Sequence, residues 1–211
     1  TEVIRRNADT MRPRHVYAVN DPYHGGTHLP DVTVVTPVYD DGRKEVLFYV
    51  ASRGHHAEIG GLTPGSMPAF SCTVHEEGVL FDNWLLVADG RFREAETSDL
   101  LTRAPYPSRN PTTNLADLRA QIAANEKGVD EVRRMIDHFG LDVVQAYMRH
   151  VQDNAEEAVR RVIDALGDGA QVQRARQPHD GARECGVVAA GLDVLDERLG
   201  DLEHVDGEAL E

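Results

Sequence analysis

One stretch constrains the fold more than any other, because residues 31–52 have the pattern of a β-hairpin. Residues 31–39 read Asp-Val-Thr-Val-Val-Thr-Pro-Val-Tyr and are rich in β-branched side chains, which favour strands. Asp40-Asp41-Gly42 is typical of a hairpin turn, and residues 44–52 follow as an apolar return strand. A hairpin returns the chain to where it began, so the segments that flank it should meet in space.

Polar loops that contain glycine and histidine lie on both sides of this hairpin. The first loop runs from Asn20 to Asp31 (NDPYHGGTHLPD), and the second runs from Ser52 to Gly61 (SRGHHAEIGG). Six of the ten histidines lie at or before residue 75, and five of those six are in or beside polar loops that contain glycine, four of them in these two loops. Burial in a core is an unusual reason for histidines in this setting. We therefore expect the two loops to form one site.

The side chains of these loops have the chemistry of a metal site. His28 and Asp31 are three residues apart, separated by Leu-Pro, where a strand begins, and the second loop offers His55 and His56 with Glu58 close by. Two imidazoles and one carboxylate with positions left for water are typical of Zn²⁺, Mn²⁺ or Fe²⁺. Adjacent residues on an extended backbone point opposite ways, so one of the two neighbouring histidines should bind and the other should face substrate or a carboxylate. Two further side chains could complete or orient this site: Asp21 and His24.

Each of these features also has a simpler interpretation. The loops could be polar turns held by Asx hydrogen bonds, with histidines that merely face solvent. Gly25-Gly26 and Gly60-Gly61 either supply positive φ angles or let backbone N–H groups approach a substrate carboxylate or phosphate. The residues alone leave both interpretations open.

The rest of the N-terminal half predicts further strands and one short helix. His15–Val19 predicts a strand that stops at Asn-Asp-Pro, and residues 78–87 predict a long strand or a strand pair. Residues 96–104 predict a helix whose N-cap would be Thr97 or Ser98.

Helical periodicity replaces the strand pattern after a proline-rich breaker at residues 105–111. Apolar residues recur at helical spacing from Leu115 to Phe139, Gly140 ends that helix, and a second helix begins at Leu141. The short connection predicts an antiparallel helical hairpin. The apolar side of its second helix should then be buried: Val143, Val144, Tyr147, Val151, Ala155, Ala158, Val159, Val162, Ile163 and Leu166.

The sequence thus predicts an α+β fold in three parts. Residues 1–104 form a β-rich segment that carries the metal site, and residues 105–169 form the helical hairpin, packed on the same domain. Residues 170–211 form an irregular acidic tail without aromatic, Ile or Lys residues, a composition that is typical of disorder.

Charge and cysteine content exclude several classes of function. The net charge is −14 and the pI is near 5.1, which argues against nucleic acid and anionic membranes as partners. No apolar run approaches the roughly 20 residues that span a bilayer. Cys72 and Cys185 form no CxxC motif, which favours the reducing cytoplasm. The chain begins without Met and with the pattern of a helix end, so we expect a fragment of a longer protein.

Several long motifs closely resemble the hydantoinase B/oxoprolinase family, in particular its N-methylhydantoinase B-type subunits. The resemblance extends to about Gly169, and the acetone carboxylase α subunit is a more distant relative with the same loops. The motifs that carry the resemblance are Asn20–Asp31, Arg53–Gly61, Thr63–Pro68, Glu77–Val79 and Asn114–Asn125.

This resemblance implies an ATP-dependent amidohydrolase built from two kinds of subunit. A hydantoinase A-like partner binds ATP and phosphorylates the carbonyl oxygen of a cyclic amide. The B-type subunit then opens the ring with water at a divalent metal ion, Zn²⁺ or Mn²⁺. The family's metal ligands are a His, an Asp three residues later and a His in the second loop, which correspond here to His28, Asp31 and His55.

The resemblance also suggests roles for neighbouring residues. His56 or Glu58 would move protons, Asp21 would orient the site, and Asp117 or Gln121 would support it. The chain has no Gly-x-x-x-x-Gly-Lys-Ser/Thr motif, so ATP would be used in the partner. B-type subunits are more than twice as long as this chain, which leaves the activity of the chain alone open. An inactive family member that keeps the fold and an acetone carboxylase-like subunit are the alternatives.

Overall fold

Five antiparallel strands form a sheet in the order β3-β2-β1-β4-β5 in the computed structural model, which describes residues 2–42, 45–65 and 67–166. The strands are β1 Val16–Val19, β2 Asp31–Tyr39, β3 Val46–His55, β4 Trp84–Ala88 and β5 Arg91–Phe92. The helices are α1 Glu2–Arg6, α2 Val74–Glu77, α3 Glu94–Arg103, α4 Pro111–Phe139 and α5 Leu141–Leu166. The predicted mixture of sheet and helix is confirmed.

The predicted hairpin is present as β2 and β3. Its antiparallel pairing begins at Asp31 opposite His55 and ends at Tyr39 opposite Val46. β3 therefore continues three residues beyond Ser52, where the predicted strand ended, because β2 offers pairing positions back to its first residue. His55 ends a strand instead of lying in a loop.

Two further predicted element boundaries are wrong. Of residues 78–87 only the part from Trp84 onward is strand, because the backbone N–H groups of Val79 and Phe81 donate to the Ile59 carbonyl and to the Asn20 side chain. α3 begins at Glu94 with Arg93 as its N-cap residue. Thr97 lies inside this helix, where its hydroxyl donates to the carbonyl of Arg93.

The core lies between the sheet and helices α3 and α4. Val32 and Val34 of β2 are fully buried, as are Leu101 of α3 and Leu118 of α4. α4 packs across β2 and β3. It also buries three amide side chains on its sheet-facing side, at spacings of seven and four residues: Asn114, Gln121 and Asn125.

The predicted burial of the apolar side of α5 is wrong for most of its length. Val144 is buried, but every residue from Arg149 to Leu166 is exposed. Leu115 and Leu118 of α4 pack in the core, whereas Met135 and Phe139 near the end of α4 are exposed. α5 contacts α4, to which it is joined at Gly140. A groove of about 790 Å³ lies at this joint, lined by Met135, Phe139, Val143, Val144, Tyr147, Met148, Val151 and Gln152.

Within residues 2–42, 45–65 and 67–166, no helix combines the length and the apolar character that crossing a membrane requires. The predicted acidic tail, residues 170–211, lies outside the described residues.

Candidate metal centre

Three of the predicted ligands converge at the open end of the β2–β3 hairpin. The Nε2 atoms of His28 and His55 are 3.2 Å apart, and the Nδ1 atom of His28 is 3.2 Å from Oδ2 of Asp31. One donor atom from each of the three side chains lies within 4.8 Å of the other two. His28 and Asp31 are half-buried and His55 is exposed, so the cluster is accessible from solvent.

Local backbone structure places these three side chains. Asp31 opens β2 and His55 ends β3, and the two are cross-strand partners. The N–H of Asp31 donates to the carbonyl of His28 at 3.1 Å, which folds the first loop back onto the strand start. The Thr27 hydroxyl donates to Oδ2 of Asp31 at 3.1 Å and orients that carboxylate. The hairpin and one tight turn therefore determine the geometry of the cluster.

The donor set and its spacing fit a divalent transition-metal ion. Two imidazole nitrogens bound tetrahedrally to zinc at about 2.0–2.1 Å lie about 3.3 Å apart, close to the observed 3.2 Å between His28 and His55. Two imidazoles and one carboxylate suit Zn²⁺, Mn²⁺ or Fe²⁺. The hydrogen bond from Thr27 is the kind of outer contact that orients a carboxylate ligand.

A buried asparagine holds the first loop in place. The Asn20 amide Nδ2 donates to the carbonyls of Leu29 at 2.8 Å and Val79 at 2.9 Å. Its Oδ1 accepts the N–H of Phe81 at 2.7 Å. Asn20 thus joins the segment between His28 and Asp31 to the segment that precedes β4.

His56 points into the protein and is 1% exposed. Its Nε2 lies 3.3 Å from Oε1 of Gln121 and its Nδ1 lies 3.2 Å from Nδ2 of Asn114. These partners suit the neutral tautomer with the proton on Nε2, which donates to Gln121 while Nδ1 accepts from Asn114. Burial lowers the pKa of His56, against the opposing effects of the Gln121 hydrogen bond and the Asp117 charge.

Glu58 of the second loop lies close to the residues that precede α4, and its carboxylate is surrounded by hydrogen-bond donors. Its Oε1 accepts the Ser108 hydroxyl and the N–H groups of Arg109 and Asn110, and its Oε2 accepts the N–H of Gly60 at 2.9 Å. Burial alone would raise the pKa of Glu58, but these hydrogen bonds outweigh it and lower the pKa. Glu58 thus connects the second loop to the helix that contacts His56.

Asp21 is buried and contacts His24. The Nδ1 atom of His24 lies 2.6 Å from Oδ2 of Asp21, whose Oδ1 accepts the N–H of Tyr23 at 2.9 Å. Asp82 joins them in a second cluster of possible ligands, although it also pairs with Arg6. The described contacts of Asp21 thus connect it to this second cluster, while the role of orienting the first one stays a prediction.

Sequence patterns alone did not identify the buried polar residues Asn114 and Ser108. Asn114 donates to the carbonyl of Glu58 at 2.8 Å, and the Ser108 hydroxyl that donates to Glu58 lies 2.6 Å from Oδ1 of Asn114. One signal was available, because an amide side chain on the apolar side of a helix must find hydrogen-bond partners in the core. Gln121, which was expected to support the site, contacts His56 directly.

Comparison with known proteins shows extensive similarity over most of the chain. A family model described as Hydantoinase B/oxoprolinase matches residues 1–195. The match passes Gly169, so the predicted end of the resemblance was wrong. A 5-oxoprolinase from Dictyostelium discoideum is 53% identical over 144 residues, which are 68% of this chain and 11% of the relative. The 5-oxoprolinase 1 of Arabidopsis thaliana is 47% identical over 176 residues, which are 78% of this chain and 14% of the relative.

A relative from Pseudomonas and two solved structures provide further similarities. A putative B-type subunit of a D-/L-hydantoinase from Pseudomonas sp. is 31% identical over 169 residues, 80% of this chain and 28% of that protein. The crystal structure of an ATP-dependent caprolactamase from Pseudomonas jessenii matches with a TM-score of 0.63 and 28% identity, over 76% of this chain and 27% of that one. A nucleotide-free acetone carboxylase, at 18% identity and a TM-score of 0.54, shares the fold over 65% of this chain and 17% of its own. The chain spans less than a third of each of these proteins.

Proposed function

Because the chain belongs to the hydantoinase B/oxoprolinase family, we propose that it supplies the metal centre at which a cyclic amide is hydrolysed. The observation that carries this proposal is the convergence of His28, Asp31 and His55. The similar proteins named 5-oxoprolinase, D-/L-hydantoinase and caprolactamase have names that denote cyclic amide substrates. A lactam or hydantoin is therefore the substrate class that we propose.

We propose that ATP is consumed in a hydantoinase A-like partner. The caprolactamase is described as ATP-dependent, while this chain has no P-loop motif. Phosphorylation of the amide carbonyl oxygen in the partner would make the ring carbon electrophilic, and this chain would then act on the activated ring. A hetero-oligomer in the cytoplasm is the corresponding assembly.

The three ligands would hold one Zn²⁺ or Mn²⁺ ion. Such an ion supplies Lewis acidity, which makes water a usable nucleophile near neutral pH. The protein's own contribution is geometric: the β2–β3 pairing positions Asp31 and His55, and Thr27 orients the Asp31 carboxylate. Because His55 is exposed, a substrate can reach the ligands without a rearrangement of the core.

The contacts of His56 and Glu58 favour positioning over proton transfer. Both ring nitrogens of His56 already have partners, and the side chain is buried. Glu58 accepts four hydrogen bonds from Ser108, Arg109, Asn110 and Gly60, and such stabilisation of the carboxylate makes it a weak base. We propose that both residues hold the second loop against α4.

Metal binding provides the first test. The purified chain is dialysed against Zn²⁺ or Mn²⁺, and the bound metal is measured by mass spectrometry for wild type, His28→Ala and His55→Ala. His24→Ala is the matched control, since it removes a histidine from the second cluster in the same loop. We expect about one ion per wild-type chain, retention in His24→Ala and loss in the other two variants. Loss of the metal in His24→Ala alone would contradict the proposed ligands and indicate that the second cluster, Asp21, His24 and Asp82, binds the ion.

Turnover provides the second test. The chain is mixed with a hydantoinase A-type protein, ATP and either 5-oxoproline, hydantoin or caprolactam, and ring-opened product and ADP are quantified. A complete B-type protein from a relative serves as the positive control for the partner. We expect ring opening that requires ATP, metal and the partner. Metal binding without turnover, beside an active positive control, would identify an inactive family member that keeps the fold and the ion.

A further inference from the structure

Gln121 of α4 contacts β2 and the residue that follows β3, in each case immediately beside a candidate ligand. Its Nε2 donates to the carbonyl of Val32 at 2.8 Å, and its Oε1 is 3.3 Å from Nε2 of His56. Val32 directly follows Asp31, and His56 directly follows His55. The buried Gln121 side chain therefore connects the ends of the two ligand-bearing strands on the side that faces α4.

Two residues of β3, Ser52 and Gly54, make close contact with α4 at Gln121. A Cβ atom on Gly54 would lie 3.2 Å from Nε2 of Gln121, which is tighter than an ordinary carbon contact. The Ser52 hydroxyl donates to the backbone carbonyl of Gln121 at 3.3 Å. The residue that precedes His55 thus leaves room for the amide, and the strand is tied to the same turn of α4.

We propose that Gln121 is a positioning residue that fixes the separation of Asp31 and His55 and thereby sets the metal affinity. This inference rests on the proposed function, because it assumes that those two side chains bind an ion. The reason is geometric: the Gln121 amide donates to the Val32 carbonyl of β2 and accepts from His56, directly after β3, which keeps the two strand ends at a fixed distance. Ligand distances in metal sites tolerate little change, and the loss of a hydrogen bond that orients a metal ligand alters metal affinity about tenfold or more.

Asn125 provides a matched control on the same helix. It lies four residues after Gln121, is 1% exposed, and its Nδ2 donates to the Val34 carbonyl at 3.0 Å and to the Thr36 hydroxyl at 3.1 Å. It therefore makes the same kind of helix-to-strand bond, but three residues or more beyond Asp31. If the substitutions only loosened the packing of α4 on the sheet, variants at both positions would bind zinc more weakly. If Gln121 controls the ligand separation, only its variant would.

The test compares Gln121→Met with Asn125→Leu in the complete chain. Each substitution introduces an apolar side chain of similar length and removes the hydrogen bonds. Zinc affinity is measured by competition with a chromophoric chelator, and the visible spectrum of Co²⁺-loaded protein reports the ligand geometry. For Gln121→Met we expect a Kd about tenfold higher and a shifted cobalt band. For Asn125→Leu we expect a Kd within about twofold of wild type and an unchanged spectrum.

A second variant and a metal-free measurement complete the experiment. Gly54→Ala retains Gln121, but the added Cβ atom would crowd the Gln121 side-chain amide next to His55. We therefore expect weaker zinc binding although the amide is still present. In the metal-free chain, Gln121→Met should accelerate hydrogen exchange at the N–H of His56, which donates to the carbonyl of Pro30 at 2.8 Å. Asn125→Leu should leave that exchange rate unchanged.

The outcomes separate this inference from the proposed function. If the wild-type chain binds no zinc, the metal centre itself is refuted, and the affinity role of Gln121 with it. If wild type binds zinc while Gln121→Met binds equally well, the positioning role alone is overturned. Equal weakening in Gln121→Met and Asn125→Leu would also overturn it, since that result reflects general packing.

Discussion

Asp31 and His55 are cross-strand partners at the open end of the β2–β3 hairpin, opposite the turn at residues 40–42. Side chains alternate between the two faces of a strand, so a shift in register by one residue would place one of the pair on the other face. The positions of Asp31 and His55 in the candidate metal centre therefore depend on the register of the β2–β3 hairpin.

Removing the charge of Asp31 should weaken metal binding without affecting the fold. Asp31→Asn keeps the shape of the side chain but replaces a carboxylate, which divalent ions prefer, by a neutral amide. We expect the Kd for Zn²⁺ to rise at least tenfold, measured by chelator competition. Asp41→Asn is the control, because Asp41 lies at the other end of the same hairpin and its side chain is fully exposed. Equal affinities for the two variants would exclude Asp31 as a ligand.

Replacing Asn20 should destabilise the protein strongly. Asn20→Ala leaves the carbonyls of Leu29 and Val79 and the N–H of Phe81 without their partner in the interior. Each unsatisfied buried group costs about 1–3 kcal/mol, so we expect the free energy of unfolding to fall by about 3 kcal/mol. Urea denaturation followed by circular dichroism measures it. Asn154→Ala, at an exposed position on α5, should change it by less than about 0.5 kcal/mol, and a similarly small effect for Asn20→Ala would contradict the assigned network.

The parts of the fold that sequence predicts well are those determined by local patterns. The β-branched run and the turn residues predict the β2–β3 hairpin, and a hairpin brings its flanks together wherever it lies in the fold. For this reason His28 and Asp31 could be grouped with the His55-His56 pair from the hairpin pattern, whereas the choice of His55 as the ligand came from the family resemblance. The single glycine between two periodic segments likewise predicts where α4 ends and α5 begins.

The parts that sequence predicts poorly depend on distant contacts. Residues 78–83 do not form a strand, because the N–H groups of two of them donate to Asn20 and Ile59, which are far away in the sequence. Periodicity identifies the apolar side of α5 but says nothing about which surface covers it. The roles of His56 and Glu58 depend on a helix that begins at Pro111, about fifty residues later.

The buried His56 should make stability depend on pH. Burial lowers its pKa in the folded state below the value of 6.5 for an unfolded chain. Above about pH 6.5 both states carry a neutral imidazole, and below it the unfolded state binds a proton first. The free energy of unfolding should therefore fall as the pH decreases from 6.5 toward the folded-state pKa, with a slope of at most about 1.4 kcal/mol per pH unit from this residue.

Paired variants isolate the contribution of His56. Urea denaturation of the metal-free chain is repeated between about pH 5 and pH 8, the range in which histidine titrates, for wild type, His56→Gln and the exposed control His150→Gln. We expect a shallower pH dependence for His56→Gln and an unchanged one for His150→Gln. Parallel curves for His56→Gln and wild type would show that His56 does not titrate differently in the folded and unfolded states.

The exposed apolar stripe of α5 should contribute little to stability in the isolated chain. Leu118 of α4 is fully buried, so Leu118→Ala should lower the free energy of unfolding by about 2–5 kcal/mol. Val159 of α5 is 59% exposed, and Val159→Ala should change it by less than about 0.5 kcal/mol. Urea denaturation at low protein concentration measures both, and repetition at a much higher concentration detects self-association. A loss for Val159→Ala comparable to that for Leu118→Ala, independent of concentration, would mean that α5 packs within the chain as its periodicity predicted.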